Sequence, residues 1–418
     1  MLTKDQQEAV SLVSLVLPFR VNAYVVDHLI DWSNIPDDPI FQLTFPQPGM
    51  VHPEEFEQLR ALAGRGGPDL DDLVRRIRHR MNPHPAGQLT HNVPMLDGQP
   101  VEGVQHKYRE TVLFFPAAGQ TCHAYCTFCF RWPQFVGMKE LKFDAKSSLQ
   151  LSAYLRRHTE VTDVLITGGD PMVMNTRSLA GYIEPLLDPE LEHVQTIRIG
   201  SKALSYWPQR FVTDRDADDL LRLFSRVRAA GKNLALMAHF SHPVELESEI
   251  AQKAMRRIAD TGTIIRMQAP VIRHINDNAD DWARMWKLGV RLGAVPYYMF
   301  VERDTGPNDY FRLPLARAYE IFRAAYRQVS GLGRAVRGPC MSAFPGKVLI
   351  DGIVTINGEK CFALHLLQAR DPANVRQPFF ARFDPQANWL DDLKPAFGAE
   401  RFFFEARTDE AHALEAAE

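Results

Sequence analysis

Residues 111–115, Thr-Val-Leu-Phe-Phe, form a short apolar run, and Cys122-His-Ala-Tyr-Cys126-Thr-Phe-Cys129 follows it closely. From this point short apolar runs alternate with amphipathic stretches, a pattern typical of repeated βα units and a parallel sheet. Six such units predict an α/β fold, a partial (β/α)6 barrel with its site at the carboxyl ends of the strands. The predicted strands are residues 111–115, 161–167, 196–200, 233–240, 263–268 and 295–301.

Two regions flank this barrel. Residues 1–105 begin with a helical pattern and continue in proline-rich pieces, at 35–39 and 83–85, that suit extended segments wrapped around a core. We therefore predict an N-terminal helical and wrapping region at 1–105, the barrel at 106–345, and a C-terminal segment at 346–418.

Two local predictions can be tested directly. Thr213 is placed to cap a helix in which Leu220, Phe224 and Val227 recur on one face. In the C-terminal segment the pattern resembles a hairpin, and Asp351-Gly352 is its predicted turn.

The composition narrows the class of protein. With 418 residues, 45% of them hydrophobic and 24% charged, the chain can bury a large core, which excludes general disorder. A formal net charge of -3 gives no reason to expect nucleic acid or an anionic membrane as partner, so a small-molecule substrate is favoured. The apolar stretch at 9–26 is interrupted by Pro18 and Arg20, which favours a cytoplasmic protein.

The cysteines point to a metal centre. Five cysteines are too few for a disulfide scaffold, and three of them fall within the C-x3-C-x2-C loop of Cys122, Cys126 and Cys129. Three thiolates hold a [4Fe–4S] cluster with one iron left open. That iron can chelate S-adenosylmethionine (SAM), and an electron from the cluster can then release a 5′-deoxyadenosyl radical, the chemistry of radical SAM enzymes.

Two other sites compete with this interpretation. Structural zinc usually takes four ligands from paired C-x2-C modules, and no second module is present in the sequence. A structural cluster needs a fourth cysteine, which only the distant Cys340 or Cys361 could supply. Phe128, just before the third cysteine, suits a cluster that needs an apolar cover.

A second element supports the radical SAM interpretation. The second strand ends in Thr167-Gly168-Gly169-Asp170-Pro171, where two glycines allow a ligand to approach the backbone. Asp170 is then expected to meet the amino group of SAM. The alternative is an ordinary strand-to-helix turn with Asp170 as its cap.

Taken in order, these and other segments resemble the lysine 2,3-aminomutase family of radical SAM proteins, from about residue 36 to residue 347. The segments are Pro36-Asp37-Asp38-Pro39, His106-Lys107-Tyr108, the cysteine loop, residues 166–170, 197–201, 208–210 and 239–243, Gln268, residues 275–277 and 296–298, and Pro345-Gly346-Lys347.

The resemblance implies two cofactors besides the cluster: SAM near the barrel axis, and pyridoxal 5′-phosphate (PLP) held as a Schiff base by Lys347. An imine gives the migrating amino group a π-system through which a substrate radical can pass. Arg131 matches an arginine that grips the substrate carboxylate, a role suited to a bidentate donor. A solvated surface position is the alternative for Lys347 and for Arg131. Candidates for contact with SAM or substrate are Gly168, Gly169, Asp170, Ser201, Lys202, His239, His242 and Gln268.

The chain departs from the family pattern at several positions. The turn before Lys347 is shorter than the family's glycine run, and Thr111 stands where the family has an arginine near PLP. Two carboxylates that hold the distal ammonium of lysine are replaced by Arg303 and Ser342, although Asp304 lies one residue away. A substrate with an acidic or neutral side chain is therefore expected to fit better than lysine.

Three functions remain open from the sequence. The first is a SAM- and PLP-dependent aminomutase that moves an amino group on an amino acid, fed by an electron donor such as flavodoxin or ferredoxin. The second is a PLP-independent radical SAM enzyme, such as an epimerase, an oxidoreductase or an enzyme that modifies a larger substrate. The third is a non-catalytic iron–sulfur protein. The family resemblance also implies a homo-oligomer.

Overall fold

A computed structural model describes residues 2–84, 90–138 and 141–405 of the chain. Most of its strands form one 11-stranded sheet, in which spatial neighbours are also sequence neighbours from β3 to β13. The strands are β1 Met95–Leu96, β2 Gln99–Pro100, β3 Val104–Tyr108, β4 Thr111–Phe114, β5 Asp163–Ile166, β6 Thr196–Ser201, β7 Asn233–His239, β8 Ile264–Val271, β9 Ala294–Val301, β10 Arg337–Ser342, β11 Gly346–Ile356, β12 Glu359–Ala369 and β13 Pro378–Arg382.

All six predicted strands form, as β4 to β9, and each pairs in parallel with the next. This confirms the α/β class and the partial barrel. In β6 the residues that face the helices, such as Ile197 and Ile199, are fully buried, whereas the alternating Arg198 and Gly200 face the barrel interior. The carboxyl ends of six strands therefore surround one interior space.

A seventh parallel strand, β10, was not predicted. It pairs with β9 through Arg337 opposite Tyr298 and Cys340 opposite Phe300, with an irregular register between them. Its sequence includes Gly338-Pro339, a pair that argues against a strand because proline cannot donate a hydrogen bond to a neighbouring strand. β3 extends the other edge of the barrel sheet in the antiparallel sense.

Helices cover the outer face of this sheet and make up much of the N-terminal region. No helix within 2–84, 90–138 and 141–405 is long and apolar enough to cross a membrane. The helices are α1 Lys4–Val13, α2 Pro39–Thr44, α3 Pro53–Ala63, α4 Pro68–Arg80, α5 Leu149–Arg157, α6 Thr176–Ile183, α7 Ala203–Tyr206, α8 Ala217–Ala229, α9 Glu249–Asp260, α10 Ala279–Arg291, α11 Asn308–Phe311 and α12 Leu315–Arg327.

The predicted amphipathic helix is α8, and Leu220, Phe224 and Val227 are indeed buried. The predicted cap at Thr213 is wrong, because the helix begins at Ala217 with Asp216 before it. The Asp216 carboxylate does not cap the helix. It accepts hydrogen bonds from Thr176 and Arg210 and so ties α8 to α6.

The predicted turn at Asp351-Gly352 is also wrong. Both residues lie inside β11, where the pairing with β12 shifts register between Ile350 and Gly352. The hairpin turns at Asn357-Gly358, where both φ angles are positive, at 51° and 84°. Asn-Gly is the dipeptide most suited to such a turn, so the sequence signal was present six residues further on.

The N-terminal region packs on the cysteine loop as well as on itself. Residues of α1 to α4 form one buried hydrophobic cluster with Ala124, Phe128 and Trp132. The piece at 35–39 is only partly extended, because Asp38 caps α2 and Pro39 opens it. The second predicted wrapping piece includes Pro85, which lies outside the described residues.

Candidate functional site

The cysteine loop lies directly after β4 and is held by backbone contacts with the N-terminal region. The amide of Tyr125 donates to the carbonyl of Arg20 at 2.9 Å, and the amide of Thr127 donates to the carbonyl of Leu43 at 2.9 Å. The Arg20 guanidinium also donates to the Cys122 carbonyl at 3.0 Å. The N-terminal region therefore fixes the path of the loop between its cysteines.

The three loop thiols share a buried environment. Burial raises the pKa of Cys126 to about 11 and that of Cys129 to about 12, and the pKa of Cys122 is also raised. Cys126 and Cys129 are among the neighbours that raise the pKa of Cys122. Iron binding would replace the protons on these thiols, because metals bind the thiolate form.

The loop supplies three thiols, the number that a [4Fe–4S] cluster takes when one iron is left open. Within 2–84, 90–138 and 141–405, no three His, Cys, Asp or Glu side chains form a ready-made site for one metal ion. Cys340 lies on β10 with Lys347 and Arg337 as its charged neighbours, and Cys361 lies on β12, so neither belongs to the loop.

The turn after β5 touches the start of the cysteine loop. A Cβ atom on Gly169 would lie 2.4 Å from the Thr121 carbonyl oxygen, and one on Gly168 would lie 2.1 Å from the Gln120 side-chain amide nitrogen. Gly168 also has a φ of 146°. The amide of Asp170 donates to the Thr121 carbonyl at 2.8 Å. The two glycines are therefore required for this close approach, whatever ligand lies beyond them.

We expect Gly169→Ala to displace the cysteine loop, because Thr121 presents backbone rather than a flexible side chain. Overpacking of this kind costs roughly 1–3 kcal/mol. Thermal unfolding and iron content after anaerobic reconstitution measure the two effects. Gly181→Ala in α6 is the matched control, since nothing lies within 4 Å of its added Cβ. Equal iron content in both variants would contradict the predicted role of the turn.

The Asp170 carboxylate already accepts hydrogen bonds from other groups of the protein. It is 2% exposed, and its carboxylate accepts from the Ser201 hydroxyl at 2.8 Å and from the amides of Met172 and Lys202. Asp170 therefore acts as a cap and ties the ends of β5 and β6 together. Its contact with the amino group of SAM stays a prediction.

Several buried polar atoms around the barrel interior have no hydrogen-bond partner in the described structure. They include both ring nitrogens of His123, Nδ1 of His239, Nε of Arg131 and the side-chain nitrogen of Gln134. Buried polar atoms normally have partners, so atoms without one mark a place for a polar ligand. SAM offers amino, carboxylate, ribose and adenine groups, and this set of atoms fits such a molecule.

The strand register places two of the predicted SAM contacts side by side. His239 at the end of β7 pairs with Gln268 on β8, so both side chains point to the same face of the sheet. The His239 ring stacks on Phe128 of the cysteine loop at 5.8 Å between centroids, and burial lowers its pKa well below the usual range. A neutral imidazole therefore faces the interior beside the loop. His242, in contrast, lies 3.7 Å from Asp281 and accepts from the Val244 amide.

Arg131 is buried without an acidic partner. Its guanidinium donates to Gln134 at 3.0 Å and packs over the Phe115 ring at 4.3 Å. None of the described carboxylates is among the charged neighbours of this guanidinium, and burial lowers its pKa to about 10. A buried guanidinium in this state is ready to bind an anion, which fits the predicted grip on a substrate carboxylate. Arg131 is therefore not a solvated surface residue, which was the alternative interpretation of its sequence position.

Lys347 is half-buried. Its ammonium lies 4.2 Å from the centre of the Tyr298 ring and 5.7 Å from that of Phe300. Desolvation lowers its pKa to about 8, although Cys340 and Asp163 favour the charged form. A buried lysine whose pKa is depressed has a neutral, nucleophilic amine available near neutral pH, as Schiff-base lysines require. The residue is therefore a chemically suitable anchor for PLP.

Burial of Lys347 predicts a pH-dependent cost to folding. Below pH 8 the lysine is charged in both states, and its burial costs on the order of 3 kcal/mol. Between pH 8 and its unfolded pKa of 10.5, the folded state releases the proton and wild-type stability rises. We expect Lys347→Met to stabilise the cofactor-free protein at pH 7 and to lose this gain by pH 10.5.

Denaturant unfolding at several pH values measures this difference. Lys360→Met is the control, because Lys360 is exposed on the neighbouring β12 with its ammonium over Phe383. A gain in Lys347→Met that does not change with pH would contradict the burial of a titrating amine.

Further cations surround Lys347. The ammonium of the half-buried Lys107 donates to the Ala343 carbonyl and has Arg370, Arg303 and Lys347 as charged neighbours. Arg303 lies over the Phe130 ring at 5.1 Å and donates to the Ser342 carbonyl at 3.3 Å. The interior therefore carries several positive charges with few acids to balance them.

Two acids lie near Arg303. Asp304 pairs with His84 at 2.9 Å and is also an acidic neighbour of the Arg303 guanidinium. Burial raises the pKa of Glu302 well above its usual range, which favours its neutral form. The replacement of the family's two carboxylates by Arg303 and Ser342 stays a prediction.

Sequence reasoning missed three residues of this site. His123 lies between two of the cysteines, and that position was a usable signal. Lys107 was part of a matched segment but received no role. Tyr206, whose hydroxyl lies 3.7 Å from the Cys126 sulfur, gave no signal, because only the fold brings α7 beneath the loop.

Comparison with known proteins gives relatives along most of the chain. A protein of Aquifex aeolicus (strain VF5), provisionally named an L-lysine 2,3-aminomutase, is 31% identical over 93% of this chain and 91% of its own length. The L-lysine 2,3-aminomutases of Clostridium subterminale and Bacillus subtilis (strain 168) are 26% and 24% identical over 82% and 79% of this chain, and 69% and 60% of their own lengths.

The other two comparisons are weaker. A radical SAM methyltransferase from Sphaerobacter thermophilus overlaps 66% of this chain and 91% of its own, at 16% identity and a TM-score of 0.38. No family model matches the sequence. The assignment therefore rests on the sequence relatives together with the strand order and the cysteine loop. On that evidence the chain belongs to the lysine 2,3-aminomutase family and is a radical SAM enzyme of the aminomutase-like type.

Proposed function

We propose that this protein is a SAM- and PLP-dependent 2,3-aminomutase-like isomerase that moves an amino group between neighbouring carbons of an amino acid. The observation that carries the proposal is the half-buried amine of Lys347, which packs on the Tyr298 ring and has a pKa of about 8. When bound, PLP supplies the π-system that lets an amino group migrate in a radical reaction. Lys107, the neighbouring cation, would hold an anionic group of the cofactor.

The residues of the chain divide into two groups in this scheme. Cys122, Cys126 and Cys129 would hold the cluster, which receives an electron from a donor such as a flavodoxin or ferredoxin. Backbone at the glycine turn would meet SAM, together with the side chains of Ser201, His239 and Gln268. Arg131, buried beside the cysteine loop without an acidic partner, would bind the substrate carboxylate and so bring the substrate to SAM.

The substrate side chain is expected to be acidic or neutral. The distal ammonium of lysine would face the half-buried Arg303. Burial raises the pKa of its neighbour Glu302 well above the usual range, and its other acidic neighbour, Asp304, already pairs with His84. Bringing a second cation there without a counter-ion is strongly unfavourable. A carboxylate side chain would instead offset the charge of Arg303. Arg303 is therefore the proposed specificity residue.

The first test concerns PLP. Anaerobically purified wild type should take up PLP and show its absorbance band, and borohydride should fix the cofactor to the chain. Lys347→Ala should lose both signals, whereas Lys360→Ala, on the neighbouring strand, should keep them. The mass of the borohydride-treated peptide containing residue 347 identifies the attachment point. Wild type that never takes up PLP would exclude the aminomutase and favour the PLP-independent radical SAM enzyme.

The second test concerns the substrate. We expect the reduced enzyme to turn over glutamate-like amino acids in preference to lysine by about tenfold or more, since an unpaired buried charge costs more than 1.4 kcal/mol. Arg303→Asp should reduce or reverse this preference, and Arg303→Gln should lie between the two. Amino-acid products are measured by chromatography. Preference of the wild type for lysine would refute the role of Arg303.

A further inference from the structure

Tyr206 is the last residue of α7, the short helix that follows β6. Its side chain is fully buried, and its hydroxyl lies 3.7 Å from Sγ of Cys126, within hydrogen-bond distance for sulfur. Its position is fixed on both sides, because its own carbonyl accepts from the Asn22 side chain at 2.8 Å. While Cys126 is protonated, its thiol donates to this hydroxyl. Once cluster binding removes the thiol proton, the sulfur can only accept, and the phenol becomes the donor.

A buried ion pair supports the Tyr206 ring. The Lys202 ammonium lies 4.5 Å from the ring centre and 2.7 Å from the Glu245 carboxylate. Glu245 is fully buried and also accepts from the Ser241 amide at 2.6 Å. Because the ion pair is held by these bonds, the ring above it cannot turn freely, and the hydroxyl stays directed at Cys126.

The other two loop sulfurs lack a comparable side-chain donor among the described residues. Cys129 receives a hydrogen bond from the backbone of Arg131, and no side-chain hydrogen bond to Cys122 is present in the described part of the loop. The donor to Cys126 is thus the one that a point substitution can remove without changing the backbone. Hydrogen bonds to cluster sulfurs are among the factors that set reduction potentials.

We propose that Tyr206 is a positioning residue that tunes the cluster, by donating its hydroxyl hydrogen bond to the Cys126 thiolate and so making the cluster easier to reduce. The inference rests on cluster binding in the proposed function but not on PLP or on the substrate. Glu245 balances the charge of Lys202, so the hydroxyl rather than the ammonium is the main contributor. The residue need not touch SAM or substrate to act in this way.

The step itself is a one-electron reduction. The oxidised [4Fe–4S] cluster accepts one electron from the external donor, dithionite in the test, and no bond to Tyr206 forms or breaks. The phenol keeps its proton throughout. Reduction adds negative charge that spreads onto the thiolates, and a hydrogen bond to a thiolate stabilises that charge. Removing the donor therefore favours the oxidised cluster.

The test compares Tyr206→Phe with Tyr125→Phe by redox titration monitored by electron paramagnetic resonance, on reconstituted protein without SAM. Tyr125 lies in the same loop, but its hydroxyl lies 3.3 Å from Thr121 rather than near a cysteine. A hydrogen bond of about 0.5–1.5 kcal/mol predicts that Tyr206→Phe lowers the equilibrium constant for reduction about 2- to 13-fold. Its midpoint then moves to a more negative potential, while Tyr125→Phe keeps the wild-type value.

A variant of similar shape separates an effect on the cluster from an effect on folding. Tyr206→3-fluorotyrosine keeps the ring and the hydroxyl but makes the phenol a stronger donor, so the midpoint should move to a more positive potential. Equal midpoints in wild type and both Tyr206 variants would overturn the proposal. Loss of iron in Tyr206→Phe alone, with no shift in the fluorinated variant, would also overturn it, since the residue would then only hold the loop. Wild type without any cluster would instead refute the proposed function.

Discussion

The close contact between two loops is the constraint on which the site depends. Gly168 and Gly169 let the end of β5 lie against Gln120 and Thr121, and the Asp170 amide holds the Thr121 carbonyl at 2.8 Å. On its other side the loop is bonded to Arg20 and Leu43 of the N-terminal region. Three thiols are thus held by two parts of the chain that lie far apart in sequence. A cluster bound there has a fixed position relative to every strand end.

The second constraint is electrostatic. Arg131 is buried, and Lys107, Arg303 and Lys347 are half-buried, around one interior space. Of the acids near them, Glu302 has a raised pKa and Asp304 is shared between Arg303 and His84. A protein does not bury unpaired cations without cost, so the arrangement is best explained by anions that arrive with cofactor and substrate. The folded chain thereby gives up stability that its ligands would restore.

The sequence was sufficient to predict the barrel strands because short apolar runs recur along it between amphipathic stretches. Each of the six strands is a short run with apolar residues on its helix-facing side, and such runs are recognisable without tertiary information. It was insufficient for β10, whose glycine and proline read as a break although pairing with β9 stabilises the strand. The predicted turn at Asp351-Gly352 was wrong for a related reason. The bulge in β11 accommodates a turn-like dipeptide inside a strand.

The site residues also fall into those that local sequence predicts and those that only the fold reveals. The cysteines and glycines lie within local motifs, so spacing located them, and strand order was enough to bring His239 beside Gln268. Tyr206 could not be found, because its partner Cys126 is a neighbour only after α7 folds beneath the loop. Asp170 was located by its motif, but its role could not be predicted. A carboxylate in a turn can bind a ligand or accept from the backbone. The hydrogen bonds from Ser201 and Lys202 show which groups it already binds.

The short turn before Lys347 finds its explanation in the sheet. Ser342 pairs directly with Lys347 across β10 and β11, so the two side chains lie on the same face. A longer glycine run is unnecessary where an antiparallel pairing already fixes the lysine. The same register places the lysine next to the strand end that carries Ser342, whose carbonyl holds Arg303. The proposed cofactor anchor and the proposed specificity residue are therefore positioned by one strand pair, and a change in that pairing would move both together.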